Sequence, residues 1–137
     1  MYDENLVAPM REEAVAAGCQ ELRTEEAVVE ALAKEGTALV FINSVCGCAA
    51  AMARPGLALA LQNAEKKPTN AYTCFAGNDS DATNKARSYF VGIPPSSPAM
   101  GLLKDGQLVA MLNRHDIEGH SAQEVAMQLI ESFNEHC

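Results

Sequence analysis

The hydrophobic pattern of the chain alternates between short apolar runs and longer amphipathic segments. Residues 38–44 form an apolar run, which is typical of a strand that is buried on both faces of a sheet. The next segment, from Ala49 to about Asn63, is rich in alanine and leucine and apolar nearly all round. This composition predicts a helix packed between the sheet and another layer. Because Pro55 lies inside the segment, we expect the helix to kink there.

Other segments complete an alternation of strands and helices. The elements predicted around this centre are, in chain order, a helix over 3–17, a short strand over 19–22, a helix over 24–34, a strand over 71–76 and a helix that begins within 78–81 and ends near 90. Two apolar runs, 99–103 and 107–112, flank a turn that contains glycine and predict a β-hairpin. A last helix begins at Ser121, which is expected to form a capping box with Glu124.

This order of elements predicts one α/β domain over residues 1–137, with the pattern β-α-β-α-β-α-β-β-α behind an extra N-terminal helix. The early β-α-β units require parallel strands, and the hairpin adds antiparallel ones, so the central sheet is mixed and flanked by helices. The same order characterises the thioredoxin fold. In that fold a cysteine pair follows the second strand, a proline kinks the next helix, and a cis-proline precedes the hairpin. Cys46 with Cys48, Pro55 and Pro98 occupy these three places.

The pair Cys46-Gly47-Cys48 is the strongest candidate for chemistry. A cysteine pair at the start of a helix suits thiol–disulfide exchange, because the helix N-terminus favours a thiolate over a thiol. Gly47 is expected to adopt the unusual backbone angles that bring the two sulfurs together. The spacing alone leaves two other interpretations open: a metal or cluster site that uses Cys46, Cys48 and a third ligand such as Cys74, and inert packing.

Charge and composition exclude several classes of function. The formal net charge is −8, which repels phosphate backbones and anionic lipids, so we expect no nucleic-acid or membrane partner. No apolar run is long enough to cross a membrane, and the first residues carry acids where a signal peptide carries bases, so we expect a cytoplasmic protein. Five cysteines in a reducing compartment argue against a structural disulfide framework.

Several motifs resemble one known family. Residues 43–50 (Asn-Ser-Val-Cys-Gly-Cys-Ala-Ala), followed by 53–55 (Ala-Arg-Pro), are similar to the core signature of the bacilliredoxins. Further similar segments are 75–77, 86–90, 96–98, 104–106 and 114–120. The resemblance covers nearly the whole chain and implies a thioredoxin-like oxidoreductase that removes bacillithiol from S-bacillithiolated proteins, with disulfide isomerase activity as an additional expectation.

The resemblance also implies roles for individual residues. Cys46 would be the attacking thiol and Cys48 the resolving thiol, and Pro98 would be the cis-proline that shapes the substrate groove. Bacillithiol would be a co-substrate, with no tightly bound cofactor and with S-thiolated proteins as partners. We place Ser97, Gly47 and Arg54 in the substrate site together with Pro98. Arg54 is expected either to bind an anionic thiol or to form an ion pair on the helix.

The remaining candidates favour structural roles. Cys74 lies in the middle of a predicted strand, and Cys19 is expected to be buried and inert. Cys137 is the last residue and is expected to be exposed. His115 and His120 flank two acidic residues, but their spacing does not require a metal site, and the stretch reads as a polar loop.

Overall fold

A five-stranded mixed sheet forms the centre of the molecule, which the computed structural model describes over residues 1–137. The strands are β1 Gln20–Glu21, β2 Thr37–Asn43, β3 Asn70–Phe75, β4 Ala99–Lys104 and β5 Gln107–Leu112. Their order is β1-β3-β2-β4-β5. Strands β1, β3 and β2 run parallel, whereas β4 pairs antiparallel with β2, and β5 antiparallel with β4. The predicted mixed sheet is therefore confirmed.

Six α-helices and one π-helical segment cover the two faces of the sheet. The helices are α1 Glu4–Ala17, α2 Glu25–Leu32, α3 Arg54–Asn63, α4 Ser80–Ser88, α5 Arg114–Ile117 and α6 Ala122–His136, and the π-helix spans Ala49–Ala53. Helices α1, α3 and α6 share one buried core with the sheet, and α2 and α4 share the other. Within β2, Leu39 and Phe41 face the first core, and Val40 and Ile42 face the second. This double burial explains the apolar run of β2.

The predicted proline kink is a change of helix type. Pro55 lacks the N–H that would bond to the carbonyl of Ala51, and its ring crowds the preceding turn. Just before it, the chain widens into the π-helix, and the N–H of Arg54 donates to the carbonyl of Ala49. Beyond this point, Gly56 lets α3 approach α6 closely, because a Cβ at this glycine would come within 2.7 Å of Val125 Cγ1.

The polar stretch before the last helix differs from the sequence expectation. Residues 114–117 form the one-turn helix α5 instead of a loop. Asp116 Oδ2 accepts a hydrogen bond from the N–H of Asn113 at 2.9 Å, and Ile117 is completely buried. The capping bond and this single apolar anchor together stabilise the turn. The predicted capping box of Ser121 with Glu124 is confirmed.

Helix α1 is fastened to the sheet by a buried ion pair. Arg11 donates through two nitrogens to both carboxylate oxygens of Asp79, at 2.8 and 2.9 Å. Asp79 Oδ2 also accepts from the N–H of Phe75 at the end of β3. Both side chains of the ion pair are less than a tenth exposed.

None of the helices combines the length and the apolar character that crossing a membrane requires.

Candidate functional site

The cysteine pair lies in the turn that joins β2 to the π-helix. At the end of β2, Asn43 Oδ1 accepts from the N–H of Ser44 at 2.9 Å, and Ser44 Oγ accepts from the N–H of Cys46 at 3.1 Å. The carbonyl of Cys46 then accepts from the N–H groups of Ala49 and Ala50. Cys46 therefore caps the first helical turn, where the positive end of the helix dipole favours a thiolate.

The two cysteines are joined by a disulfide, and their exposure differs. Their Cα atoms are 5.4 Å apart. Cys46 is partly exposed, whereas Cys48 is only 7% exposed. The N–H of Cys48 donates to Cys46 Sγ at 3.3 Å, a contact that would also stabilise negative charge on this sulfur. Of the two cysteines, Cys46 is therefore the more accessible.

Gly47 does not have the unusual backbone conformation that the sequence analysis expected. Its φ is not positive, and a Cβ at this position would meet no atom within 4 Å. Neither backbone angle nor space inside the protein therefore requires glycine here. The residue is exposed, and the space beside it is open.

A cavity of about 340 Å³ opens beside Cys46. Its lining includes Ser97 from the proline loop, Arg87 from α4, Arg114 from α5 and Tyr2 from the N-terminal segment. The lining contains two arginines and no acidic residue, although the chain as a whole carries a net charge of −8. Cys46 therefore faces a cavity whose charged lining residues are all positive.

The proline loop before β4 forms one wall of this cavity. The Ser97–Pro98 peptide bond is cis, as the sequence analysis expected. Ser97 and Cys46 line the same cavity, whereas Pro98 is buried and is not part of its lining. Arg114 Nη1 donates to the carbonyl of Ser97, and Arg87 Nη2 donates to that of Ser96, each at 3.2 Å. Two arginines therefore hold the loop in place.

Comparison with known proteins assigns the chain to a family. The family model described as disulphide isomerase matches residues 2–137. Two bacilliredoxins of Geobacillus kaustophilus (strain HTA426) are 54% and 50% identical to the chain over 137 residues. The first match covers 100% of this chain and 93% of the relative, and the second 99% and 94%. The chain belongs to the bacilliredoxin family.

Solved structures confirm the thioredoxin fold. Oxidised mitochondrial thioredoxin 3 of Saccharomyces cerevisiae superposes with a TM-score of 0.59 at 15% identity, over 90% of this chain and 98% of that protein. The oxidised thioredoxin of Plasmodium falciparum has a TM-score of 0.55 at 15% identity, over 85% and 98%. Family membership and the Cys46–Cys48 disulfide make this bacilliredoxin relative a thiol–disulfide oxidoreductase.

Arg54 does not line the cavity beside Cys46. It is 3% exposed, and it lines a different cavity, between α1 and α3. Its guanidinium pairs with Glu13 of α1 and donates to Asn43 Oδ1 and to the carbonyl of Ser44, both at 3.0 Å. Of the two roles that the sequence left open, the structure shows the ion pair. Arg54 positions the turn that carries the cysteines.

The other cysteines of this bacilliredoxin relative lie away from the exchange chemistry. Cys19 and Cys74 are buried in the two opposite cores, and burial raises the pKa of each thiol to about 12. Cys137 is exposed, as expected. No group of three or more His, Cys, Asp or Glu side chains is arranged to hold a metal ion. The third ligand that the metal interpretation requires is therefore not supplied by Cys74.

Alkylation of the reduced native protein should distinguish these thiols. At about pH 8, only about one in 10⁴ of the Cys19 and Cys74 thiols is ionised, and both are buried, so iodoacetamide should leave them unmodified. Cys46 and Cys137 should be labelled readily. Peptide mapping by mass spectrometry, with urea-unfolded protein as the control in which all five cysteines react, measures this difference. Rapid labelling of Cys74 in the folded protein would contradict it.

Three residues that line the cavity have no role that the local sequence pattern predicts: Tyr2, Arg87 and Arg114. Both arginines lie in segments that carry the family resemblance, 86–90 and 114–120, so a signal was present. Their convergence on Cys46 depends on the packing of α4 and α5 around the proline loop. The spacing of residues along the sequence does not reveal this packing.

Proposed function

We propose that this chain removes bacillithiol from S-bacillithiolated proteins through Cys46 and Cys48. The observation that carries the proposal is the unequal access to the two sulfurs. Cys46 lines an open cavity, whereas Cys48, two residues further along the chain, is almost completely buried. This arrangement suits one thiol that meets the substrate and a second that acts only inside the protein.

The exchange proceeds in two balanced steps. In the first, the Cys46 thiolate attacks the bacillithiol sulfur of the mixed disulfide, a new S–S bond forms at Cys46, and the protein substrate leaves as a thiolate. In the second, the Cys48 thiolate attacks Cys46 Sγ, bacillithiol leaves as a thiolate, and the Cys46–Cys48 disulfide forms. The substrate gains two electrons, and the dithiol loses them. A thiol reductant must then reduce the Cys46–Cys48 disulfide for the next turnover.

The surroundings of the pair supply the remaining roles. Ser97 and the cis-Pro98 loop form the wall along which the substrate lies, and the exposed Gly47 leaves space above the sulfurs. Because the dithiol itself carries the electrons, the reaction needs no tightly bound cofactor. We place it in the cytoplasm, where protein thiols are kept reduced and mixed disulfides are transient.

A second candidate activity is the isomerisation of protein disulfides. The description of the matching family model favours it. In this activity Cys46 would attack a disulfide within a protein, and a second thiol of that protein would displace it without net oxidation. The partly exposed position of Cys46 is compatible with such a large substrate.

A reporter protein with one bacillithiolated cysteine tests the proposed function. The reduced chain should remove the bacillithiol, and one Cys46–Cys48 disulfide should form for each bacillithiol that is released. Intact-mass spectrometry of both proteins measures the two quantities together. The matched control is the same reporter carrying glutathione. Faster removal of glutathione than of bacillithiol would contradict the proposed thiol specificity while leaving the oxidoreductase activity intact.

A further inference from the structure

The cavity beside Cys46 contains an arginine without a carboxylate partner. Arg87 forms no ion pair, and the only hydrogen bond of its side chain is the one from Nη2 to the carbonyl of Ser96. Its Nε atom is buried and has no hydrogen-bond partner. Burial lowers the pKa of Arg87. A partly buried guanidinium of this kind gains most from an anion that arrives with the substrate.

Arg114 adds a second positive charge to the same cavity. Its Nε atom pairs with Glu118 at 2.9 Å, but both of these side chains are about half exposed, so that pair is weak. Its Nη1 atom donates to the carbonyl of Ser97. Both arginines thus lie beside the proline loop and share the cavity with Cys46. No acidic residue lines the cavity.

The contrast with Arg11 and Arg54 supports a role for Arg87 in binding an anionic ligand. Those two arginines are buried in the same protein and are paired with Asp79 and Glu13, respectively. Arg87 is the partly buried arginine that lacks such a partner and that lines the reactive cavity. Guanidinium groups bind carboxylates with two parallel hydrogen bonds, which fixes orientation as well as charge.

We infer that Arg87, assisted by Arg114, binds a carboxylate on the low-molecular-weight thiol half of the mixed disulfide. The inference rests on the proposed function and names the chemical class of the thiol: a small thiol that carries one or more carboxylates. Binding of this carboxylate orients the small sulfur toward Cys46 Sγ. The attack then transfers the small thiol to Cys46 and releases the protein thiol.

Two substrates, one with a negatively charged and one with a neutral small thiol, test this inference. One neutral peptide with a single cysteine carries mercaptosuccinate, a dicarboxylate, and the same peptide carries 2-mercaptoethanol, which is neutral. The wild type should favour the mercaptosuccinate substrate. Arg87→Gln should reduce kcat/KM for that substrate about tenfold, mainly through KM, and the rate for the neutral one by less than about threefold. Arg87→Lys should restore part of the loss.

The matched control is Lys85→Gln, which removes one positive charge from the same helix outside the cavity. It should leave the ratio of the two rates as in the wild type. An equal loss for both substrates in Arg87→Gln would mean that Arg87 only supports the proline loop, and this would overturn the inference. The inference would also be overturned if the wild type did not favour the mercaptosuccinate substrate.

A third substrate distinguishes the source of the carboxylate. The peptide now has aspartates beside its cysteine and carries 2-mercaptoethanol. A selective loss in Arg87→Gln for this substrate, and not for mercaptosuccinate, would assign the carboxylate to the protein half and overturn the inference. Failure of the wild type to remove bacillithiol, with the mercaptosuccinate preference intact, would refute the proposed function alone.

Discussion

Replacement of Cys46 with serine should abolish thiol–disulfide exchange. A serine hydroxyl cannot form a disulfide, and the buried Cys48 has no route to the substrate without it. We expect a loss of at least about a thousandfold in the rate of thiol release from a mixed-disulfide reporter, followed by mass spectrometry. The fold should be retained, because Cys46 is partly exposed and serine can still cap the helical turn.

The companion variant Cys48→Ser should give the opposite result. Cys46 remains able to attack, so one equivalent of the small thiol should be transferred to it and stay bound as a stable mixed disulfide. Intact-mass measurement before and after a reductant detects this adduct. If Cys48→Ser remained unmodified while Cys46→Ser accumulated the adduct, the roles of the two cysteines would be reversed.

Of the proposed substitutions, Asp79→Ala should lower the free energy of unfolding the most. The substitution removes the one buried carboxylate that pairs with the Arg11 guanidinium and leaves only the more exposed Glu4 and Glu21 as partners, and it removes the acceptor for the N–H of Phe75. Breaking a buried ion pair from one side costs about 3 kcal/mol or more of the free energy of unfolding. For a chain of this size, such a loss lowers Tm by roughly 10 °C. Urea titration and thermal unfolding followed by circular dichroism measure both quantities.

Glu21→Gln provides the matched control for this stability prediction. Glu21 also pairs with Arg11, but its side chain is 29% exposed and the contact is 3.4 Å long. Loss of this Glu21–Arg11 contact should change the free energy of unfolding by less than about 1 kcal/mol. A wild-type melting temperature for Asp79→Ala would show that the buried pair contributes no net stability. Equal losses in the two variants would show that burial of the partner does not matter.

Local patterns predicted most of the fold. The apolar run of β2, the glycine turn of the hairpin and the capping box at Ser121 all act over a few residues, so their signals are visible in the sequence. The one-turn helix α5 was missed because a single buried residue, Ile117, and one capping bond stabilise it. Four residues are too few to show a helical period.

The site was predicted less completely than the fold. Cys46 and Cys48 are recognisable as a pair because they lie only two positions apart in the sequence. The partners of an arginine, in contrast, depend on tertiary packing: Arg54 meets Glu13 across 41 positions of the chain, and Arg87 meets the proline loop around Cys46 only in the folded state. For Gly47, the expected backbone role was wrong because the helical turn already accommodates ordinary angles.

The contacts of α1 have a practical consequence for the design of a smaller redox protein. Glu13 forms an ion pair with Arg54, and the carbonyl of Met10 accepts a hydrogen bond from Asn43 Nδ2 at 3.0 Å. Two residues of α1 therefore stabilise the turn that carries the cysteines. A shortened version without α1 would keep every strand of the sheet and both sulfurs. It would nevertheless leave a buried cation unpaired directly beneath the reactive turn, and a minimal scaffold must therefore include α1 or replace Arg54 with an uncharged residue.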